Sequence, residues 1–97
     1  MIEATISEER LLHYLDLTKS ARTKVSEINH LDHQMSKDMQ TLLEMADAYI
    51  SDAQFFFEKG DYVRSFGAIN YAHAWIDAGV KLRLLDGHDD DVLFTLP

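Results

Sequence analysis

The sequence predicts an all-α protein, an up-and-down bundle of three long helices of similar length, completed by self-association. Three observations predict it. Glycine and proline are scarce: the 97 residues hold four glycines and one proline, and that proline is the last residue. Apolar residues recur at alternating spacings of three and four through most of the chain, the period of one helical face. One strong punctuation, Gly60-Asp61, separates two helical stretches of comparable length.

The first helix is expected over about 6–29. "TISE" fits a capping box, with Thr5 as N-cap and Glu8 three residues on. Leu11, Tyr14, Thr18, Ala21, Val25 and Ile28 then form one stripe. The second helix, about 34–59, is cleaner. Met35, Met39, Leu42, Ala46, Tyr49, Ala53 and Phe56 mark its apolar face, and Lys37, Gln40, Glu44, Asp47, Ser51 and Glu58 its polar one. The heptad phase runs through "NHLDHQ", so a single rod is the competing arrangement. Asn29 and Asp32 favour caps and turns over helix interiors and place a break at about 29–34. "EKGDY" reads as a tight hairpin: Gly60 supplies a left-handed helix end and Asp61 caps the third helix, expected over about 62–86. An acidic and apolar tail, 87–97, closes a single domain spanning 1–97.

The third helix has two apolar seams. Tyr62, Phe66, Ile69, His73, Ile76, Val80 and Leu84 form one; Ala68, Tyr71, Trp75, Ala78, Leu82 and Leu85 form the other. Ser65, Ala72 and Gly79 make a strip of small residues that admits another backbone. A three-helix monomer cannot bury both seams of one helix. The second needs a cover: the C-terminal "VLFTLP", a ligand, or a second copy of the chain. Ala68, Tyr71, Trp75, Ala78 and Leu82 are therefore the candidate interface.

Composition removes several function classes. With no cysteine, disulfides, thiolate catalysis and sulfur-ligated zinc are excluded. A net charge of −8, with nine basic residues scattered rather than clustered, weighs against nucleic acid as a partner. No apolar run is long enough to span a membrane, and the N-terminus shows no export pattern, so a cytoplasmic protein is expected.

The candidate polar site is Asn70, His73 and Asp77, which fall within about 60° of one another on a helix. One role is a ligand, metal or acid–base site in which a carboxylate orients an imidazole. The other, favoured, is a buried network with Asp77 accepting from His73 and a tyrosine from another helix completing the set. In that network, losing the Asp77 carboxylate strands the histidine's donor. His30 and His33 flanking Asp32, and His88 before Asp89, Asp90 and Asp91, have metal-compatible spacing, but they sit at helix ends or in a solvated tail. The sequence calls for no metal and no cofactor.

Residues 49–86 resemble an archaeal family known as domain of unknown function 357. The resemblance rests on Gly60-Asp61-Tyr62, then Asn70-Tyr71-Ala72-His73, Trp75 and Asp77-Ala78-Gly79. It implies a three-helix bundle with a break between the first two helices, and it brings no assigned activity. The chain departs from the family pattern at Ala74 and Arg83, where glycine is common. A lone "GDY" followed by small residues echoes a tetratricopeptide unit, but its helices are about twice too long and no repeat follows. HEPN nucleases share the overall shape, yet Arg64 and His73 lie on opposite faces of the helix and do not form their Arg–His motif.

These observations point away from catalysis. They predict a non-catalytic interaction module that forms a homodimer, with another protein as an alternative partner. A nucleotide- or RNA-handling domain of HEPN-like shape and a small-ligand or metal binder centred on His73 are the competing functions.

Overall fold

The computed structural model describes residues 5–97; the first four residues of the predicted domain lie outside it. Three helices carry the fold: α1 over Glu8–Lys24, α2 over His33–Glu58 and α3 over Tyr62–Lys81. Two very short strands, β1 (Ser26–Glu27) and β2 (Leu85–Asp86), pair antiparallel, with Ser26 opposite Asp86 and Glu27 opposite Leu85. The Tyr62 hydroxyl at the start of α3 donates to Glu8 at the start of α1, so these helices run parallel, with α2 antiparallel to both and α3 packed most closely against each of the others. The bundle is up-down-up, as the sequence predicts, and elongated at 47 × 24 × 20 Å. Among the described residues no helix is long and apolar enough to cross a membrane.

The break between the first two helices is real, and Asp32 makes it. Its carboxylate accepts from the Met35 backbone N–H at 2.8 Å as the α2 N-cap, a bond worth about 1 kcal/mol. Asp61 caps α3 in the same way through Arg64 N–H at 3.1 Å. Gly60, at φ 77°, ends α2: Asp61 N–H reaches Phe56 C=O and Gly60 N–H reaches Phe57 C=O, the paired bonds of a Schellman ending.

Helix ends elsewhere differ from expectation. The α1 cap is Ser7, which accepts from Arg10 N–H at 3.1 Å, not Thr5. Glu8 and Glu9 then lie in the first turn, where they complement the helix dipole. α1 stops at Lys24 rather than near 29, because Val25 turns extended and delivers Ser26 and Glu27 to β2. Val25 is still buried, so its apolar side chain is satisfied by the core without continuing the helix. α3 stops at Lys81 rather than 86. Arg83 takes φ 61°, with Leu84 N–H bonded to Gly79 C=O and Arg83 N–H to Val80 C=O. This too is a Schellman ending, with arginine where glycine is favoured.

The core has two parts. Leu11, Leu15, Ala53 and Ile69 pack at the hairpin end. Ala21, Val25, Met39, Leu43, Ile76, Val80, Leu84, Leu85 and Phe94 pack at the other. The small-residue strip faces α2, where the buried Ser65 hydroxyl donates to Ala53 C=O at 2.8 Å. At Gly79 a Cβ would lie 2.5 Å from Leu85 Cδ1, so a side chain there would push Leu85 out of place. On the outside, Arg22 holds Asp47 through Nε at 2.6 Å and Nη2 at 3.1 Å. The hydrogen bond to Asp47 raises the Arg22 guanidinium above its already high range. Both partners are partly solvated, so the pair contributes about 0.2–1 kcal/mol.

Candidate functional site

A polar layer separates the two core clusters. Thr18 on α1 is buried, one turn from both Leu15 and Ala21. His73 on α3 faces it, with Thr18 Oγ1 2.9 Å from His73 Nδ1. The other ring nitrogen, Nε2, lies 2.8 Å from the carbonyl oxygen of Leu93. A carbonyl only accepts, so Nε2 carries the proton. In the neutral ring Nδ1 is then the acceptor and the Thr18 hydroxyl the donor. Both nitrogens are engaged, so His73 has no nitrogen left for a metal or substrate while these bonds stand.

Asn70, His73 and Asp77 do not bond to one another, and no tyrosine completes the set. Asn70 is exposed and its amide folds back onto Phe66 C=O of its own helix at 3.1 Å. Asp77 accepts from the Thr95 N–H at 2.8 Å and the Thr95 hydroxyl at 3.2 Å. The expected Asp77–His73 pairing is thus replaced by two separate bonds from α3 to the C-terminal segment. The physical reason is proximity: backbone groups of the tail lie against this face.

A third residue, Lys81, acts in the same way, its Nζ donating to Leu96 C=O at 2.8 Å. His73, Asp77 and Lys81 are four apart and line one stripe of α3. They take the carbonyl of Leu93, the amide of Thr95 and the carbonyl of Leu96 in turn. The tail is thereby strapped to the bundle. Phe94 is its anchor, 4% exposed. It packs against Gly87, where a Cβ would lie 2.9 Å from both Phe94 Cδ2 and Val80 Cγ1. The acidic run is not simply solvated. Asp90 Oδ1 accepts from Val92 and Leu93 N–H, and Oδ2 lies 3.8 Å from Lys24 Nζ. Sequence reasoning missed Thr18, which passes as a stripe member, and Lys81. The four-residue spacing of hydrogen-bonding side chains was the available signal.

The second seam meets a different environment. Tyr71 is 47% exposed and Leu82 66%. Tyr71 stacks edge-on against Tyr49 of α2 with ring centres 4.5 Å apart, and against Trp75 at 5.8 Å. Trp75 is half-buried against the tail-end cluster, Ala78 is half-buried on the same face, and Ala68 is half-buried against the hairpin-end cluster. Among the described residues the Trp75 indole N–H is the one buried side-chain polar atom without a hydrogen-bond partner. The strap lies along the opposite flank and does not cover this seam. Leu85 leaves it altogether, folding over Gly79.

Among the described residues no three of His, Asp and Glu converge as a metal site. His30 lies in an exposed turn and His33 opens α2. His88 instead bonds the Ser26 hydroxyl through Nε2 at 2.6 Å. A groove of about 540 Å³ runs between α1 and the strap, past Asp16, Lys19, Thr23, Lys24 and Asp90. Its cations have partners, Lys19 on Gln54 and Lys24 beside Asp90.

Fold and site define a small up-down-up helical bundle that straps its own C-terminal segment to one flank of α3 and presents aromatic residues on the other. The chain belongs to the family described as protein of unknown function DUF357, whose model matches residues 13–85. The match takes in His73, Asp77 and Lys81 and stops short of the strap they hold. Comparison with curated proteins and with solved structures finds no match to the chain.

Proposed function

We propose that the protein is a non-catalytic helical interaction module that pairs with a second copy of itself through the α2–α3 face. The observation that carries this reading is the exposure of Tyr71 and Leu82 at 47% and 66% on the same stripe as Trp75. Aromatic anchors of this kind dominate the energetics of protein interfaces. Charge argues for a second copy as the occupant. At −8 the chain repels itself over most of its surface. The centre of this face is the exception: Leu42, Met45 and Tyr49 of α2 and Ala68, Tyr71, Trp75, Ala78 and Leu82 of α3 carry no charge, with Asp38, Asp52 and Arg64 at its ends. Two copies can therefore meet here about a twofold axis with an uncharged centre and the carboxylates of Asp38 and Asp52 at the rim. The saturated bonding of His73 supports a structural rather than catalytic use of the polar layer.

Light scattering and native mass spectrometry of the untagged chain at tens of micromolar test the proposal. The expected result is a dimer that Tyr71→Asp and Leu82→Glu each convert to a folded monomer, since both side chains are exposed within one chain. Trp75→Glu is less diagnostic, because Trp75 also packs on the core. A wild-type chain that is monomeric under these conditions overturns the proposal.

A further inference from the structure

The C-terminal strap is held like a bound peptide. Beyond Asp89 it contacts the bundle through Phe94 in the tail-end core, through His73, Asp77 and Lys81, and through Lys24 of α1 beside Asp90. The bundle-side groups, His73, Asp77, Lys81, Lys24 and the tail-end core, all precede the hinge, so a second copy presents the same set in the same order. The Asp90 N–H on Gly87 C=O at 3.1 Å and the Phe94 packing on Gly87 involve the hinge itself. The hinge itself is unusual. His88 and Asp89 lie consecutively in the left-handed region, at φ 56° and 57°. Histidine and aspartate tolerate that region better than most residues, but an L side chain there is disfavoured, and two in succession add the cost. The closed hinge is held by the His88–Ser26 bond at 2.6 Å and by His88 N–H on Asp86 Oδ1 at 2.8 Å, both at exposed positions where water can replace the partner.

We propose that two copies exchange residues 90–97, each strap seating against α1 and α3 of the other chain. The contacts to the bundle are then remade in trans, while the hinge straightens, giving up the Asp90–Gly87 bond, and His88 and Asp89 leave the left-handed region. Residues 87–89, extended, reach about 10 Å, enough to cross between two bundles that abut at the tail end. Strained, short hinges are the ones that favour such exchange. This surface is distinct from the α2–α3 face, and either contact can form without the other.

The absence of native cysteine makes a clean test available. Asp77→Cys and Thr95→Cys are prepared as separate full-length chains, both carrying Leu82→Glu so that pairing through the α2–α3 face is removed. They are mixed at several hundred micromolar and joined by a short bis-maleimide. In the closed chain Thr95 Oγ1 lies 3.2 Å from Asp77 Oδ2, so exchange brings the two cysteines together across chains. The expected result is a covalent heterodimer several-fold more abundant than the dimer formed by either chain alone. An equal yield overturns the proposal. A second measurement leaves the strap contacts and the His88–Ser26 bond intact: in the Leu82→Glu background, Asp89→Gly relieves the closed hinge. Its dimer fraction by light scattering is expected to fall several-fold, and an unchanged or higher fraction also overturns the proposal.

Discussion

The two ends of the bundle are closed by different means. At the hairpin end, Gly60 and Asp61 turn the chain within a few residues, and the cluster of Leu11, Leu15, Ala53 and Ile69 forms around that turn. At the other end nothing local closes the core. Ser26 meets Asp86, His73 meets Leu93, and Phe94 arrives from beyond β2 to join Val25, Met39, Leu43 and Val80. Both ends recruit distant residues, Leu11 and Leu15 of α1 at the hairpin end, but only the second end takes in the terminal segment, and closing those longer loops costs chain entropy. One small domain thus joins a half built on a local hairpin and packed under α1 to a half completed by its terminal segment.

Removing the Phe94 anchor is expected to have the largest effect. Phe94→Ala should destabilise the chain by about 3–5 kcal/mol in denaturant titration, with amide exchange rising in the strap and around Val80 before the hairpin end responds. A loss below about 1 kcal/mol would show the tail end to be independent of the strap. Ile69→Ala probes the other end, and a cost of about 2–5 kcal/mol is expected there.

Smaller effects separate the polar bonds. Thr18→Val keeps the shape of a buried side chain but leaves His73 Nδ1 without its donor, and should cost about 1–3 kcal/mol. Asp77→Ala should cost less, about 0.5–1.5 kcal/mol, because the Thr95 groups it releases are exposed and can turn to water. Equal losses, compared by thermal denaturation, would mean that the polar layer and the strap bonds are equally shielded.

The smallest effects concern the two Schellman endings and have opposite signs. Gly60→Ala places a methyl on a left-handed residue and should destabilise by about 1 kcal/mol, although no neighbouring atom lies within 4 Å of that position. Arg83→Gly should stabilise by about 0.5–1 kcal/mol by releasing the same conformational cost at the end of α3. If Arg83→Gly instead lowers the melting temperature, the arginine side chain contributes an interaction that outweighs its backbone strain.

Periodicity, scarce glycine and proline, and three capping aspartates or glycines determined the number of helices, their order and both turns. Those signals work because they act over one or two turns of helix, and Asp32, Gly60 and Asp61 do in the structure what their side chains and backbones favour locally. The sequence also placed His73 and Asp77 on one stripe, since helical spacing dictates which residues share a face. What that face meets was decided by the tertiary structure alone. Asp77 bonds Thr95, His73 bonds Thr18 and Leu93, and α1 ends at Lys24 so that Ser26 can reach Asp86. A hydrogen bond forms with whichever group packing brings to about 3 Å, and no spacing along a single helix encodes which distant segment that will be.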